Sequence, residues 1–483
     1  MAIQTSSIFL LLFSLVVAPS YGAGSFKRTD FPEGFVFGTA SSSYQYEGAV
    51  NEGGKGPTSW DNFTRRYPGR CCSDENMGLD AFRFSISWAR ILPKGKASGG
   101  VNKEGIQFYN NLINELLANG IKPFVALFHW DLPQALEDEY GGFLNAKIVE
   151  DFRNYSDICF KEFGDRVKNW LTINEPTTFT LQGYATGVQA PGRCTPLPPR
   201  TANCTEGDSG TEPYIVGHNI LLAHAAAVKL YREQYQKTQQ GQIALTLVSD
   251  WFVPKTDSEA DKIAAERMVN FTLGWFLEPL TFGDYPGTMK SLVGERLPKF
   301  TEEQSNMVKG SFDFLGMNYY TAMFAADNPT NYSKSSYLTD SRVEISFDRN
   351  GEPIGRQAGS FWLHYYPTGL KNLLLHAKKY YSPSTIYITE NGVDEINNTT
   401  LPLEQQLADE WRIDYHFSHL TSVQEAIKEG VNVKGYFAWT LLDVFEWASG
   451  FTVRFGINYV DFNGGFKRIP KQSARWFQTM LKG

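Results

Sequence analysis

The sequence of 483 residues lacks several features that mark common functional classes. It has no long basic run and a formal net charge of -7, which argues against nucleic acid and anionic membranes as partners. After its first 24 residues it has no apolar stretch long enough to span a membrane. Its five cysteines and seven histidines do not lie at the spacing of a zinc site, so we expect no metal cofactor.

Residues 1–24, MAIQTSSIFLLLFSLVVAPSYGAG, have the pattern of a secretory signal peptide. An apolar run from Ile8 to Ala18 is followed by Pro19 and by small residues suited to cleavage. Residues 25–483 contain no linker that would divide them. We therefore expect one large domain that enters the secretory pathway.

Two further features agree with secretion. Cys194 and Cys204 lie in a loop rich in proline and glycine, which predicts a local disulfide. Asn-x-Ser/Thr sequons predict N-glycosylation. They occur at Asn62, Asn154, Asn203, Asn270, Asn331, Asn397 and Asn398.

Short β-like runs recur along the chain, and amphipathic segments such as 104–120 lie between them. The runs are FVFGTA (35–40), DAFRFSISW (80–88), KPFVALFHW (122–130), KNWLTINEP (168–176), QIALTLVSDW (242–251), FDFLGMNYY (312–320), TIYITENG (385–392) and VKGYFAWTLLD (433–443). Eight strands that alternate with helices predict a (β/α)8 TIM barrel. A doubly wound sheet is the alternative, but Gly-x-Gly-x-x-Gly is absent after the first run, and no cofactor is expected.

Polar and aromatic side chains follow the carboxyl ends of five predicted strands, where barrel enzymes place their active sites. A single polar residue at the end of a strand is usually a helix cap or part of a solvated turn. Polar residues at the carboxyl ends of five strands of one barrel predict a functional site. Glu175 and Glu390, on strands 4 and 7, would face each other across the barrel mouth. Paired carboxyls amid indole, amide and imidazole groups indicate glycoside hydrolysis, in which one carboxyl donates a proton and the other attacks the anomeric carbon.

The segments LTINEP (171–176) and YITENG (387–392) resemble the two signature motifs of glycoside hydrolase family 1, the β-glucosidase family. Further matches between about residues 30 and 480 include FRFSISWARILP, FHWDLP, GMNYYTA and FAWTLLDVFEW. The form with a signal peptide and many sequons is similar to the plant members. The resemblance implies a retaining β-glucosidase that acts on small glycosides by double displacement, in the extracellular space or the vacuole.

The resemblance also implies roles for individual residues. Glu175 resembles the acid/base of the family and Glu390 resembles its nucleophile; because position 175 is Glu and not the Gln of thioglucosidases, an O-glucosidase is favoured. Arg83 and Tyr320 are expected to hold Glu390 in its ionised form. The other expected contacts are Asn174 with the 2-hydroxyl, Asn318 behind Glu175, Trp362 with the aglycone, and Gln45, His129, Trp439, Glu446 and Trp447 with the glycone.

One stretch departs from the family pattern. Family members carry a helix of several turns before the second strand, whereas this chain passes from Cys72 to Met77 with no room for it. We therefore expect a barrel without its first outer helix, whose outer flank is either filled by the segment 59–67 or left as a hydrophobic groove. The alternative function is a catalytically inactive or misfolded sugar-binding relative.

Overall fold

The computed structural model describes residues 26–65, 79–197, 199–330 and 334–482. A closed barrel of eight parallel strands forms its centre, and the strands neighbour one another in chain order. Each of the eight predicted runs contains one barrel strand, so the predicted (β/α)8 fold is confirmed. The strands are β1 (Val36–Ala40), β2 (Ala81–Ser85), β3 (Lys122–Phe128), β4 (Asn169–Asn174), β5 (Gln242–Val248), β6 (Leu315–Asn318), β7 (Ile386–Asn391) and β8 (Val433–Trp439).

The barrel interior changes in character along the strands. Near the amino-terminal ends of β3 and β7, the ring of Phe124 packs on those of Tyr387 and Phe437, with centroids 5.4 and 4.8 Å apart. Further along the strands the interior holds buried polar side chains, which include Arg83 in the middle of β2 and Glu390 near the end of β7. An aromatic layer thus lies beneath a layer that contains charged groups.

Most of the described helices surround the barrel, and the first two lie at the carboxyl ends of its strands. The helices are α1 (Ser43–Tyr46), α2 (Ser59–Arg65), α3 (Trp88–Ile91), α4 (Lys103–Ala118), α5 (Gln134–Tyr140), α6 (Lys147–Phe163), α7 (Pro176–Tyr184), α8 (Glu212–Gln234), α9 (Gln236–Gln239), α10 (Glu259–Val269), α11 (Trp275–Phe282), α12 (Gly287–Val293), α13 (Glu302–Val308), α14 (Tyr337–Asp340), α15 (Pro367–Tyr381), α16 (Leu403–Leu407), α17 (Glu410–Lys428) and α18 (Gln472–Lys482). Within the described ranges, no helix is both long and apolar enough to cross a membrane.

The boundaries of α4 show how local sequence sets these helices. The Asn102 side chain accepts a hydrogen bond from the backbone N–H of Glu104, which caps the first turn. Tyr109 and Ile113, four residues apart, are buried against the barrel. The chain leaves the helix through Gly120, whose φ of 73° lies in the left-handed region that glycine adopts without strain.

Short strands outside the barrel form small sheets at its periphery. One sheet has three strands, and the others are pairs. They are Trp251–Pro254 with Ala322–Asp327 and Val343–Ser346, Asp348–Arg349 with Glu352–Pro353, Glu395–Ile396 with Val453–Arg454, and Asn458–Asp461 with Lys467–Pro470.

The loop after α7 is held by a disulfide between Cys194 and Cys204. Of the predicted sequons, Asn62, Asn203 and Asn398 are exposed, whereas the Asn397 amide donates a hydrogen bond to the Phe451 carbonyl at 2.8 Å. Asn398 is therefore the more accessible acceptor of that overlapping pair. The predicted signal peptide (1–24), the sequon at Asn331 and the two other cysteines before β2, Cys71 and Cys72, lie outside the described residues.

The connection from β1 to β2 contains only the short helices α1 and α2 in its described part. The backbone N–H of Ser59 donates to the Leu132 carbonyl at 2.7 Å, and the Trp60 ring lies 4.6 Å from that of Trp447. Residues 59–65 therefore pack at the carboxyl ends of the strands. The described part of this connection contains no long helix along the outer flank of β1 and β2. This agrees with the prediction from sequence that the first outer helix is missing.

The outer flank of these two strands is nevertheless buried. Phe37 of β1 is 1% exposed, and Phe82 and Phe84 of β2 are 8% and 0% exposed. Phe84 stacks on Tyr109 of α4, with ring centroids 6.4 Å apart. The expectation of an open hydrophobic groove over these phenylalanines is therefore wrong, because neighbouring aromatic rings cover them.

We expect the Phe84→Ala substitution to lower the free energy of unfolding by about 3–5 kcal/mol, because a fully buried ring leaves a cavity. The matched control is Phe282→Ala, at a phenylalanine 54% exposed, which should change the same quantity by less than about 1 kcal/mol. Urea denaturation of both variants measures the difference. Equal losses at the two positions would mean that the flank of β2 is open in solution.

Candidate active site

The two carboxyls singled out by the sequence lie at the carboxyl ends of β4 and β7. Glu175 follows Asn174, the last residue of β4, and occupies the N-cap position of α7. Glu390 lies within β7 itself. Both are buried, at 5% and 3% exposed, so each carboxyl depends on protein donors for its hydrogen bonds.

Glu390 accepts hydrogen bonds on both of its oxygens. The Arg83 guanidinium donates through Nη1 to Oε1, and the two groups form a buried ion pair. The Tyr320 hydroxyl donates to Oε2 at 2.7 Å. Two donors, one of them cationic, are the partners that an ionised carboxylate requires in a buried position.

Glu175 has neutral donors instead. Asn318 donates to Oε1 at 2.6 Å and the Thr178 hydroxyl donates to Oε2 at 2.8 Å. Burial and then the nearby charge of Glu390 raise the pKa of Glu175 to about 8. At neutral pH this carboxyl holds its proton, so the two glutamates occupy different protonation states in one site.

Asn174 links the surroundings of the two carboxyls. Its Oδ1 accepts hydrogen bonds from Arg83 Nη2 at 2.6 Å and from Asn318 Nδ2 at 3.2 Å. Its Nδ2 lies 3.2 Å from His129 Nε2. Burial and then the charge of Arg83 hold the pKa of His129 well below its usual range, so its neutral ring accepts from Asn174. The amide is fixed in one orientation, with a single chain of hydrogen bonds from Arg83 to Glu175.

Aromatic and polar groups line one side of this pair. The rings of Trp439 and Trp447 each lie 5.9 Å from the His129 ring. Gln45 Nε2 donates to the Phe445 carbonyl at 3.0 Å and to Glu446 Oε2 at 3.3 Å. Indole faces beside amide and carboxyl groups match the apolar faces and hydroxyl groups of a sugar ring.

Glu446 is a third buried carboxyl near the pair. Burial and then the charges of Asp394, Glu390 and Glu175 raise its pKa well above its usual range. A protonated Glu446 would both donate to and accept from hydroxyl groups of a ligand.

Trp362, the predicted aglycone contact, is separated from Glu390 by the ring of Tyr320. The Trp362 ring makes an edge contact with the Tyr320 ring, with centroids 5.9 Å apart. Ten of the residues predicted from sequence for this site are therefore connected by hydrogen bonds or ring contacts. They are Glu175, Glu390, Asn174, Asn318, Arg83, Tyr320, His129, Trp439, Trp447 and Trp362. The other two, Gln45 and Glu446, are hydrogen-bonded to each other, and Glu446 directly precedes Trp447.

Thr178 and Trp130 are site residues that the sequence analysis missed. Thr178 bonds to Glu175 because it lies three residues further along, in the first turn of α7. Trp130 Nε1 donates to the Asn174 carbonyl at 2.9 Å, and its ring packs on Trp447 with centroids 4.7 Å apart. The spacing of a helix start could have revealed Thr178, whereas the contact of Trp130 requires the folded barrel.

Three site residues have left-handed backbones although none is glycine. The φ angles of Trp130, Glu175 and Trp447 are 73°, 43° and 46°. Such conformations cost of order 1–3 kcal/mol each and persist where surrounding contacts fix them.

In the described part of the chain, no group of three His, Cys, Asp or Glu residues could hold a metal ion. The pair itself offers a carboxyl with a raised pKa, Glu175, that can donate a proton, and a carboxylate paired with Arg83, Glu390, that can attack as a nucleophile.

Replacing Glu175 by Gln should make stability less sensitive to pH. The folded-state pKa of about 8 exceeds the ordinary value of 4.5, so folded protein retains a proton that unfolded protein releases between these values. Wild-type stability therefore falls as pH rises through this window. We expect the melting temperature of Glu175→Gln to exceed that of the wild type at pH 8 by several degrees more than at pH 5.

Thermal unfolding at the two pH values checks this expectation. Glu404→Gln, at an exposed glutamate of α16, is the matched control and should show the same difference from wild type at both pH values. A gain for Glu175→Gln that does not grow with pH would show that Glu175 is ionised in the folded protein at neutral pH.

Comparisons with known proteins bear on this geometry. A model of glycosyl hydrolase family 1 matches residues 27–76 and 71–483 of the chain. β-Glucosidase 12 of rice (Oryza sativa subsp. japonica) is 57% identical over 496 residues, which cover 98% of this chain and 97% of that protein. The raucaffricine-O-β-D-glucosidase of Rauvolfia serpentina is 52% identical over 506 residues, covering 96% and 94% of the two chains.

A solved structure is also similar over nearly the whole chain. It is a mutant of a rice β-glucosidase in a covalent complex with glucose, 46% identical, with a TM-score of 0.91. The comparison covers 95% of this chain and 100% of that one.

The comparisons also show a difference in length and a division in the family match. The alignment with the rice protein spans 496 positions, although this chain has only 483 residues, so that protein contains residues without a counterpart here. The two matched stretches of the family model meet at residues 71–76. This is the point between β1 and β2 where the sequence predicts a missing helix.

Proposed function

The chain belongs to glycosyl hydrolase family 1, and we propose that it is a retaining β-glucosidase that cleaves the terminal β-glucosyl bond of small glycosides. The observation that carries this proposal is the unequal environment of two buried carboxyls. Glu390 is paired with a guanidinium, whereas Glu175 has neutral donors and a raised pKa. One carboxylate and one carboxylic acid are what a double displacement requires.

In the first step, Glu390 attacks the anomeric carbon of the glucosyl unit. A bond forms between that carbon and a carboxylate oxygen, and the bond from the carbon to the aglycone oxygen breaks. Glu175 gives its proton to the departing oxygen, which leaves as an alcohol. The product is a glucosyl ester with inverted configuration. A rice relative in covalent complex with glucose supports such an intermediate here.

In the second step, water replaces the ester. Glu175, now ionised, takes a proton from water while the water oxygen attacks the anomeric carbon and Glu390 leaves as a carboxylate. The negative charge of Glu390 is one cause of the raised pKa of Glu175. Because Glu390 is uncharged as an ester, that contribution is absent in the intermediate, which favours Glu175 as the base. Two inversions give β-glucose.

The neighbouring side chains orient the sugar for these steps. Asn174 is fixed by Arg83 and Asn318, so its amide is preorganised to bind the 2-hydroxyl, where contacts strengthen towards the transition state. Tyr320 releases its hydrogen bond to one Glu390 oxygen when that oxygen bonds to carbon. The other sugar contacts that we propose are Gln45, His129, Trp439, Glu446 and Trp447 for the glycone and Trp362 for the aglycone.

We also propose the cellular context. Residues 1–24 would direct the protein to the secretory pathway and be removed, which leaves residues 25–483 as one glycosidase domain outside the cell or in the vacuole. The Cys194–Cys204 disulfide and the exposed sequons support an oxidising compartment. No contact within the described residues favours the alternative of an inactive sugar-binding relative, because the network around both carboxyls is complete.

Substitution of the two glutamates should separate their roles. Glu390→Ala should lower turnover of every glucoside by at least about a thousandfold, because no nucleophile remains. Added azide should restore activity and yield the α-glucosyl azide. Steady-state kinetics and NMR of the azide product measure both effects.

For Glu175→Ala the loss should depend on the leaving group. Dinitrophenolate departs without a proton, so the dinitrophenyl glucoside should be cleaved at least about a hundredfold better, relative to wild type, than a methyl glucoside. Glu303→Ala, at an exposed glutamate of α13, serves as the matched control and should leave both rates unchanged. Equal losses on the two substrates would contradict the acid/base role of Glu175.

The stereochemistry of the product gives an independent test. Retention predicts β-glucose as the first product, with the two carboxyls about 5–5.5 Å apart in the substrate complex. Proton NMR during hydrolysis distinguishes the anomers before mutarotation. If the α-anomer appears first, the reaction is a single displacement and the proposed role of Glu390 is wrong.

A further inference from the structure

Asp394 lies shortly after Glu390, between the end of β7 and the short strand Glu395–Ile396, and its side chain is fully buried. It takes no part in the two steps of the proposed reaction. Both of its carboxyl oxygens nevertheless accept hydrogen bonds from one residue, Ser360. The Ser360 N–H donates to Oδ1 at 3.1 Å, and the Ser360 hydroxyl donates to Oδ2. This pair therefore joins two segments that are distant in sequence.

Ser360 begins a tight turn, residues 360–363, that carries Trp362. The Leu363 N–H donates to the Ser360 carbonyl at 3.3 Å, and the Ala358 N–H donates to the Leu363 carbonyl at 2.9 Å. The Trp362 ring contacts the Tyr320 ring from this turn. The position of the indole is therefore set by the contacts that hold the turn.

The backbone before the turn packs directly on the backbone around Asp394. The Gly359 N–H donates to the Asp394 carbonyl at 3.3 Å. A Cβ atom at Gly359 would lie 2.8 Å from the carbonyl carbon of Glu395 and 2.8 Å from the nitrogen of Ile396, so a larger residue would have to displace one backbone. Glycine at this position thus allows the side chain of Ser360 to reach Asp394.

Asp394 is itself held in place from both sides along the chain. Arg412, which is fully buried, donates to the Val393 carbonyl at 2.6 Å and to the Glu395 carboxyl at 2.8 Å. Because Asp394 is also close in sequence to Glu390, its position relative to that carboxylate is fixed. A turn bound to Asp394 is therefore fixed relative to the nucleophile as well.

The far end of the turn is bound to the segment that supports the nucleophile. The Thr321 hydroxyl accepts from the His364 N–H at 2.9 Å and donates to the His364 carbonyl at 3.0 Å. Thr321 directly follows Tyr320, whose hydroxyl donates to Glu390. The turn is thus attached at one end beside Glu390 and at the other end beside the hydroxyl donor of Glu390.

We propose that Asp394 is a positioning residue for selection of the aglycone, because through Ser360 it holds the Trp362 indole in place relative to Glu390. The substrates that depend on it would be β-glucosides whose aglycone contains a flat apolar ring, since such a ring stacks on an indole. A methyl aglycone is too small to reach past the Tyr320 ring to Trp362. This selection rests on the proposed function, whereas the attachment of the turn does not.

Substitutions at the pair test the selection. Ser360→Ala removes the hydroxyl donor and keeps the Asp394 carboxyl. It should lower kcat/KM for 4-nitrophenyl β-glucoside, relative to that for methyl β-glucoside, by about tenfold, with a rise in KM, because a displaced indole loses its contact with the ring. Asp394→Ala should lower this ratio at least as much, and the double variant no further, because both changes remove one contact. Asp394→Asn keeps an acceptor for the Ser360 N–H and should restore part of the ratio.

Ser473 and Asp409 provide a matched control. The Ser473 N–H donates to Asp409 Oδ1 at 2.8 Å and its hydroxyl donates to Oδ2 at 2.5 Å, so this buried pair has the same two hydrogen bonds. It joins α18 to the residue that precedes α17. Ser473→Ala should leave the ratio of the two kcat/KM values unchanged.

Hydrogen exchange measures the attachment of the turn without any substrate. In Ser360→Ala and Asp394→Ala, the amides of residues 358–364 should exchange about tenfold faster than in the wild type, because the turn opens more often. In Ser473→Ala they should exchange at the wild-type rate. Mass spectrometry of a peptic peptide that contains these residues gives the rates, and circular dichroism confirms that each variant is folded.

Each outcome decides a separate point. Wild-type exchange of the turn in both Ser360→Ala and Asp394→Ala overturns the attachment. Faster exchange with an unchanged ratio of the kcat/KM values, or with equal losses on both glucosides, overturns the selection of the aglycone. If the wild type cleaves no glucoside, the proposed function and the selection both fail, and the exchange rates alone then decide whether Asp394 holds the turn.

Discussion

The guanidinium of Arg83 is buried between Glu390 and Asn174, and the protonation states of Glu390 and Glu175 depend on it. Arg83 is fully buried and donates one hydrogen bond to Glu390 and another to Asn174. A buried cation without an anionic partner is very costly, so Arg83 requires an ionised neighbour. Burial of Glu175, and then the negative charge of Glu390, raise the pKa of Glu175, and the hydrogen bonds from Asn318 and Thr178 lower it by less. One ion pair therefore gives the two glutamates different tasks.

The position of Arg83 depends in turn on the packing of β2. This strand pairs with β1 and β3, and Arg83 lies opposite Ala40 on one side and Phe124 on the other. Its outward neighbours, Phe82 and Phe84, are buried against other aromatic rings. Because side chains alternate along a strand, a shift of β2 that exposed these rings would also displace the guanidinium. The packing of Phe82 and Phe84 outside the barrel therefore fixes the position of the Arg83 charge inside it.

The sequence predicts much of this arrangement, for reasons that differ between residues. Apolar runs locate all eight strands, because strands of a parallel barrel are buried on both faces. The motifs place Glu175 and Glu390 at strand ends, since those positions follow directly from chain order. The contact of Trp130 with Asn174 could not be predicted, because it depends on how two neighbouring strands are aligned. The packing of residues 59–65 at the barrel mouth was also missed, since their hydrogen bonds to the loop after β3 join segments distant in sequence.

The intact glutamates give only part of the information needed to judge activity. They lie at the carboxyl ends of β4 and β7, away from the connection between β1 and β2, and the sequence motifs around them do not depend on how well that connection packs. Arg83 on β2 and Gln45 on α1 set the charge and the sugar contacts, and both flank the stretch in which this chain differs from its relatives. A poorly packed connection would therefore change the alignment and ionisation of the site while leaving the type of reaction unaltered. A poorly packed connection would change kcat and the pH profile. With either good or poor packing, Glu390 would be the nucleophile and Glu175 the acid.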